Sequence, residues 1–244
     1  MNNKLAILQN FIVTKSERLD TLRKVLPTQT EIFNNCNWYV NYNTDYFFDD
    51  VHSLFKNNVK NLTFYNDLTK DYGRIIQSMI QDIKEDYVFI IPPEDCMIIN
   101  TKEYINNLID EFVNHDCQFM QMTRIHDIKC YGTDKKYFKH YDTKEFLHLV
   151  NSDNWTTQTL SSVSIFKKTF LNEALKYFNL NKNTNTRFKR ATPHSFEYFF
   201  QRSGGEWPNG TDMFLKNKLF ALPKQGILQH YEPISNGVVV KEVN

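Results

Sequence analysis

The feature that most constrains this chain is a helix-period apolar stripe that gives way to a β-prone run. Ile76, Met79, Ile80 and Ile83 recur at i, i+3, i+4 and i+7, the spacing of one helix face. Tyr87 to Ile91 then form a continuous apolar run, closed by Pro92-Pro93. Proline has no N–H to give a strand ladder, so the strand is expected to end there. A strand apolar on both sides is one covered on both sides, the habit of parallel sheets with helices on each face.

The same alternation runs through the first half. Leu5 to Val13 reads as a buried strand. Thr14-Lys15-Ser16-Glu17 has the form of a capping box, with Thr14 accepting from an orphan helix N–H and Glu17 reaching back. Leu19, Leu22 and Leu26 continue one helix face, and Pro27 is expected to stop it. Trp38 to Tyr42 and Asn61 to Tyr65 read as strands, with a short helix from Asp49 to Lys56 between them. Ile105, Leu108, Ile109 and Phe112 mark a further helix before a strand from Cys117 to Ile125. This order predicts an α/β fold with a mostly parallel central sheet flanked by helices. Such sheets bind ligands at the carboxyl ends of their strands. Position alone therefore singles out Thr14, Asn43, Asn66 and Glu94-Asp95.

The second half is less regular. Residues 128–140 read as a hairpin, Phe146, Leu149 and Val150 as a short helix, and Ser161 to Phe166 as a strand. Phe170, Leu171, Ala174, Leu175 and Phe178 form a helical stripe. Thr192-Pro193 is a helix start, with Phe196, Phe199 and Phe200 as the apolar face and Ser203-Gly204-Gly205 as the stop. Ile227 to Tyr231 reads as a late strand. No repeat or linker divides the 244 residues, so one domain is expected.

Composition excludes several classes. With 41% hydrophobic and 23% charged residues the chain is globular rather than disordered. The net charge is +1 without the basic excess of a nucleic-acid binder, so no nucleic-acid partner is expected; the longest basic cluster, Arg187-Phe188-Lys189-Arg190, is short and reads as a solvated loop or as a phosphate- or lipid-facing patch. No run of roughly 18 apolar residues occurs, so no transmembrane segment is expected. The amino terminus lacks a signal-peptide pattern, and Cys36, Cys96, Cys117 and Cys130 form no Cys-x-x-Cys. Reduced thiols, no zinc and a cytoplasmic location are the expectation. The glycine-rich dinucleotide fingerprint, the P-loop, the nucleophile elbow and the zincin helix are all absent, which argues against those enzyme classes.

Glu94-Asp95 follows the most apolar strand directly. A carboxylate there can hold a divalent cation that grips a diphosphate, although Pro-Pro-Glu-Asp is also good turn chemistry. The stretch from Tyr72-Gly73-Arg74 to Asp86 and on through Tyr87 to Asp95 looks like the middle of family 2-type glycosyltransferases with the GT-A fold. Their pattern is a glycine-led helix, an apolar strand and an acidic Asp-x-Asp motif. Leu5 to Thr14 resembles their first strand, with Arg18 and Leu22 following. Ser161 to Lys168 resembles the strand-to-helix step that opens their acceptor half, and His194 to Phe199 looks like their acidic helix motif.

The resemblance implies a GT-A (Rossmann-like) fold, with residues 1–125 as the nucleotide-sugar-binding half and 126–244 as an irregular acceptor half. It implies transfer, with inversion, from a UDP-sugar or related donor to a glycan or other hydroxyl acceptor. Mn²⁺ or Mg²⁺ would sit on Asp95, helped by His230, with Glu94 touching metal, ribose or nothing. Thr14, Arg18, Asn43, Gly73 and Arg74 would surround the nucleotide and its diphosphate. Glu197 would be the base, with Asp153, Glu206 and Asp212 as competitors, and Trp155 and Trp207 could stack on sugar faces. The chain departs from the pattern twice. Pro92 or Pro93 stands where the first carboxylate of Asp-x-Asp belongs, and Asn41 and Asn43 replace the acidic residue after the second strand, where they could bond a base or ribose. Two rival functions remain: a nucleotidyltransferase, which needs a basic glycine-rich loop that Thr14 to Glu17 does not supply, and a binding or scaffold domain that kept the fold and lost the motif.

Overall fold

The computed structural model describes residues 4–93, 96–122, 140–142, 145–154, 160–161, 163–184, 192–200 and 210–230. The chain runs β1 (Leu5–Phe11), α1 (Ser16–Phe33), β2 (Asn37–Tyr42), α2 (Phe48–Asn58), β3 (Leu62–Tyr65), α3 (Tyr72–Asp82) and β4 (Tyr87–Ile90). It continues through β5 (Cys96–Ile98), α4 (Lys102–Asn114), β6 (Phe119–Gln121), β7 (His140–Asp142), β8 (Leu147–Asn151), β9 (Ser164–Lys167) and α5 (Lys168–Asn181). The last elements are α6 (Pro193–Phe199), α7 (Asp212–Leu215), β10 (Leu219–Pro223) and β11 (Leu228–His230).

Nine strands form one sheet in the order β3-β2-β1-β4-β9-β6-β10-β8-β7. The first four are parallel: the chain starts at β1, adds β2 and β3 on one side, then returns to place β4 on the other. Strand order therefore reverses at the β1/β4 junction. β9 runs antiparallel between β4 and β6, β10 is parallel to β6, and β7 and β8 close the far edge as an antiparallel hairpin. β5 and β11 form a separate antiparallel ladder.

Alternation along the strands sorts side chains onto two faces. Leu5, Ile7, Phe89, Ile165 and Met120 face α1, α2 and α4, whose Leu22, Val51 and Ile105 complete one core. Ala6, Val88, Phe166, Phe119 and Phe220 face α3, α5 and α6, with Ile76, Leu171 and Phe196. The rings of Phe119 lie 5.1 Å from Phe166 and 5.3 Å from Phe220. Burying each such ring contributes roughly 1.5–3 kcal/mol.

Three local expectations are corrected. The capping box does not form: Lys15 is the N-cap of α1, no side chain caps it, and Thr14 is exposed. Pro27 does not end α1, which continues to Phe33. Proline forfeits the bond to the carbonyl four residues back, but the turns beyond it are held by burial of Gln29, Ile32 and Phe33. Thr28 and Thr30 hydroxyls also donate to the carbonyls of Val25 and Pro27 at 2.8 and 3.2 Å. Phe146, Leu149 and Val150 do not make a helix. They match helical spacing, yet Leu147 and Leu149 enter one core and Val150 the other, the period-two signature of β8.

Candidate functional site

The carboxyl edge of the sheet gathers the ends of β1, β2, β3, β4 and β6 and the start of β9. On the α3/α5/α6 face one row across the strands is apolar and aromatic: Ala6, Val88, Phe166, Phe119, Phe220. The next row towards that edge is Leu8, Ile90, Ser164, Gln121. The floor turns polar there, with Ser164 and Gln121 both buried.

α6 carries Glu197. Thr192 accepts a bond from the Ser195 N–H at 3.2 Å and Pro193 occupies the first turn, so the expected helix start forms. Phe196 and Phe199 pack into the core beneath. Glu197, with a side chain 19% exposed, accepts from the Ser161 hydroxyl at 3.4 Å and pairs with His194 Nδ1 at 3.1 Å. Ser161 leads into β9, so this contact ties Glu197 to the carboxyl edge. Tyr72, the first residue of α3, packs its ring 6.2 Å from Phe196. Its phenol is pushed far above the ordinary range by burial first and the Glu197 charge second. Tyr72 Oη and Ser164 Oγ are buried without a hydrogen-bond partner among the described residues. Such an orphan costs about 1–3 kcal/mol.

The loops beyond β1, β2 and β3 are fastened by asparagines. Asn41 donates to Asn10 Oδ1 at 2.9 Å and the Asp67 carbonyl at 3.1 Å, and accepts the Asp67 N–H at 2.8 Å. Asn43 donates to the Thr69 carbonyl at 2.7 Å, and Asn66 to that of Tyr42 at 2.9 Å. Asn41, buried and committed at both ends, holds the 66–71 loop rather than facing a base. Ile12, Tyr46 and Leu68, one on each of these loops, are exposed apolar side chains. Arg18 is exposed on the first turn of α1.

Gly73 serves packing. A Cβ there would meet Asn179 Oδ1 at 2.4 Å and the Phe178 ring at 2.8 Å, so glycine lets α3 approach α5. Arg74 is mostly exposed and reaches Asp71 at 3.4 Å. Asp71 caps α3 through the Arg74 N–H and binds the buried Lys182 ammonium at 2.6 Å.

Glu94 and Asp95 lie outside the described residues, as do Cys130, Trp155, the 187–190 cluster, Glu206 and Trp207. The frame around Glu94 and Asp95 is described. Gln29 Nε2 donates to the carbonyls of Pro92 at 3.0 Å and Cys96 at 2.7 Å, while its Oε1 accepts from Gln9 at 2.8 Å. Both glutamines are fully buried. The β5–β11 register sets the backbone of His230 opposite Cys96, the residue after Asp95. Among the described residues no group of three His, Cys, Asp or Glu could hold a metal ion.

Two competing bases sit elsewhere. Asp153 follows β8 at the amino edge of the sheet, and α7, which carries Asp212, ends against Ser152 at that same edge. Cys36, Cys96 and Cys117 are buried. Burial, then the Glu85 charge, raises Cys36 to about 11, and burial, then Asp116, raises Cys117 to about 12. Among the described residues no helix is long and apolar enough to cross a membrane.

Sequence reasoning missed Gln9, Gln29, Tyr72 and Ser164. The available signal was a polar residue inside an apolar run, as Gln9 is within Leu5 to Val13.

No family profile matches the chain, and no curated protein matches it in sequence. Solved structures do. A mycobacterial protein aligns over 94% of this chain and 68% of its own, at 9% identity and a TM-score of 0.50. The 4-diphosphocytidyl-2C-methyl-D-erythritol synthase of Anaerococcus prevotii aligns over 82% and 84%, at 9% identity and 0.48. S. aureus TarS 1–349 in complex with UDP-GlcNAc aligns over 91% and 59%, at 14% identity and 0.45. This chain spans about half of TarS 1–349 in another match, 48%. Identities this low speak to fold alone, a helix-flanked α/β sheet.

Proposed function

We propose that this chain transfers a sugar from a nucleoside-diphosphate sugar, foremost a UDP-sugar, to an acceptor hydroxyl with inversion. One juxtaposition carries the reading. Glu197 is tied by Ser161 to the carboxyl edge of the sheet, on the face where the strand-end row becomes polar. That edge also holds the β1/β4 reversal of strand order, where open α/β sheets bind ligands.

In this reading the nucleotide lies across the ends of β1, β2 and β3, near Thr14 and Asn43, with its base against the exposed apolar side chains of those loops. Arg18 and Arg74 supply positive charge for the diphosphate. Glu197 takes the proton of the acceptor hydroxyl as its oxygen attacks the anomeric carbon. The bond from that carbon to the diphosphate oxygen breaks, and its electron pair leaves with the nucleoside diphosphate. Asp95 with His230, and Glu94 beside them, are the residues that would hold Mn²⁺ or Mg²⁺. The ladder that sets His230 opposite Cys96 supports this pairing, and the carboxylates suit such ions. When bound, the ion neutralises charge on the diphosphate.

Calorimetry with UDP-, GDP- and dTDP-sugars and with CTP, each with and without Mn²⁺, tests the reading. Saturable binding of a nucleotide sugar, tightened by Mn²⁺, is the expected result. Binding of CTP but of no nucleotide sugar would move the function to nucleotidyl transfer. Binding of none would leave a scaffold domain.

A further inference from the structure

The buried hydroxyl of Tyr72 makes no hydrogen bond among the described residues. Its ring packs against Phe196 in the core shared by α3, α5 and α6, where a phenylalanine would pack as well and leave nothing unsatisfied. The side chain is 5% exposed, and its oxygen finds no partner among the described residues. Buried polar groups are almost always paired, and one left orphaned points to a ligand or a functional strain. Ser164 Oγ, also buried and without a partner among the described residues, lies on the same face of the sheet, in the last row before the carboxyl edge. Glu197, whose charge Tyr72 feels, stands on that face too.

The three groups define a ligand by their hydrogen-bonding roles. A carboxylate only accepts, a neutral phenol readily donates, and a serine hydroxyl does either. A phosphate oxygen would be repelled by Glu197. An alcohol fits, because one hydroxyl can donate to Glu197 and accept from Tyr72 at once. We infer that Tyr72 is a substrate-binding residue that donates a hydrogen bond to a sugar hydroxyl, which in turn donates to Glu197, with Ser164 serving a neighbouring hydroxyl. This rests on the proposed glycosyl transfer. The sugar can be that of the donor or that of the acceptor, and the two are separable by experiment.

Tyr72→Phe and Ser164→Ala, each alone, are the test. The first readout is the ligand-free melting temperature, which should be unchanged or raised in both, because an orphaned hydroxyl is removed. The second is affinity for UDP and for UDP-GlcNAc, UDP-Glc, UDP-Gal and GDP-Man. The third is binding of free GlcNAc, glucose, galactose and mannose in saturating UDP, read by saturation-transfer NMR. A donor-sugar site predicts that Tyr72→Phe weakens the nucleotide sugar about three- to tenfold and leaves UDP alone. An acceptor site predicts the same loss for a free sugar, with both nucleotide affinities intact. A melting temperature lowered by more than about 2 °C in Tyr72→Phe would show the hydroxyl to be structural and overturn the inference. Unchanged affinities in both variants, with the wild type binding, would overturn it while sparing the function. A wild type that binds no nucleotide sugar would remove the function and the inference together.

Discussion

Gln29→Met tests whether the frame around Glu94 and Asp95 is held as described. Methionine has nearly the length of glutamine, fills the same volume and offers no donor or acceptor of comparable strength. The change deletes the bonds to the Pro92 and Cys96 carbonyls and the one from Gln9, at 3.0, 2.7 and 2.8 Å. It leaves two carbonyl oxygens and one amide nitrogen without those partners. Each orphan costs about 1–3 kcal/mol, and partial relaxation makes roughly 2–5 kcal/mol a fair total. A chain of this length loses about 2–4 °C per kcal/mol, so the melting temperature should fall by roughly 5–15 °C. Gln9→Met removes only the bond between the two glutamines and should cost clearly less. Thermal melts of both variants give the comparison, and Mn²⁺-dependent donor affinity should fall in Gln29→Met as well. A melting temperature within about 1 °C of wild type, or a larger loss from Gln9→Met, would refute the reasoning.

Glu197→Gln should lower turnover by about 10²–10⁴-fold while donor affinity, measured in parallel, stays within about twofold; Asp153→Asn and Asp212→Asn, at the opposite edge, should leave turnover near normal. Gly73→Ala should cost about 1–3 kcal/mol in urea unfolding, because the new methyl group overlaps Asn179 and Phe178. Asp71→Asn leaves the buried Lys182 ammonium without its carboxylate, so it should destabilise by ~3 kcal/mol, more than Lys182→Met does. Cys36, Cys96 and Cys117 should resist alkylation at pH 8 until the chain is unfolded: Cys36 and Cys117, raised to about 11 and about 12, hold almost no thiolate there, and mass spectrometry of labelled peptides checks all three.

The first half was legible because its parallel strands bury both faces. Leu5 to Phe11, interrupted only by Gln9 and Asn10, and Tyr87 to Ile90 therefore read as apolar runs, and amphipathic stripes such as Ile76, Met79 and Ile80 mark the helices between them. The helix start at Thr192-Pro193 was legible because caps are local chemistry. Pro27 misled because the sequence shows the lost hydrogen bond but not the core that holds the next two turns in place. β8 misled because three apolar residues fit two periods, and only pairing with β10 and β7 decides between them. β5 and β10 went unseen, one being three residues long and the other set by partners distant in sequence. The candidate base came from a local helix pattern. Its surroundings could not, because Tyr72 and Ser161 come near Glu197 only through packing of elements distant in sequence. Gln29 was hidden for a related reason: its partners lie 20, 63 and 67 residues away.

Amide hydrogen exchange with UDP-GlcNAc and Mn²⁺ tests most directly that the carboxyl edge is a nucleotide-sugar site. Bound ligand slows local opening of the segments it touches. Exchange should slow in residues 12–18, 43–47 and 66–74 and at the start of α6, with no change around Asp153 and Asp212. Exchange unaltered in all four segments under saturating ligand, or slowed only at the amino edge, would contradict it.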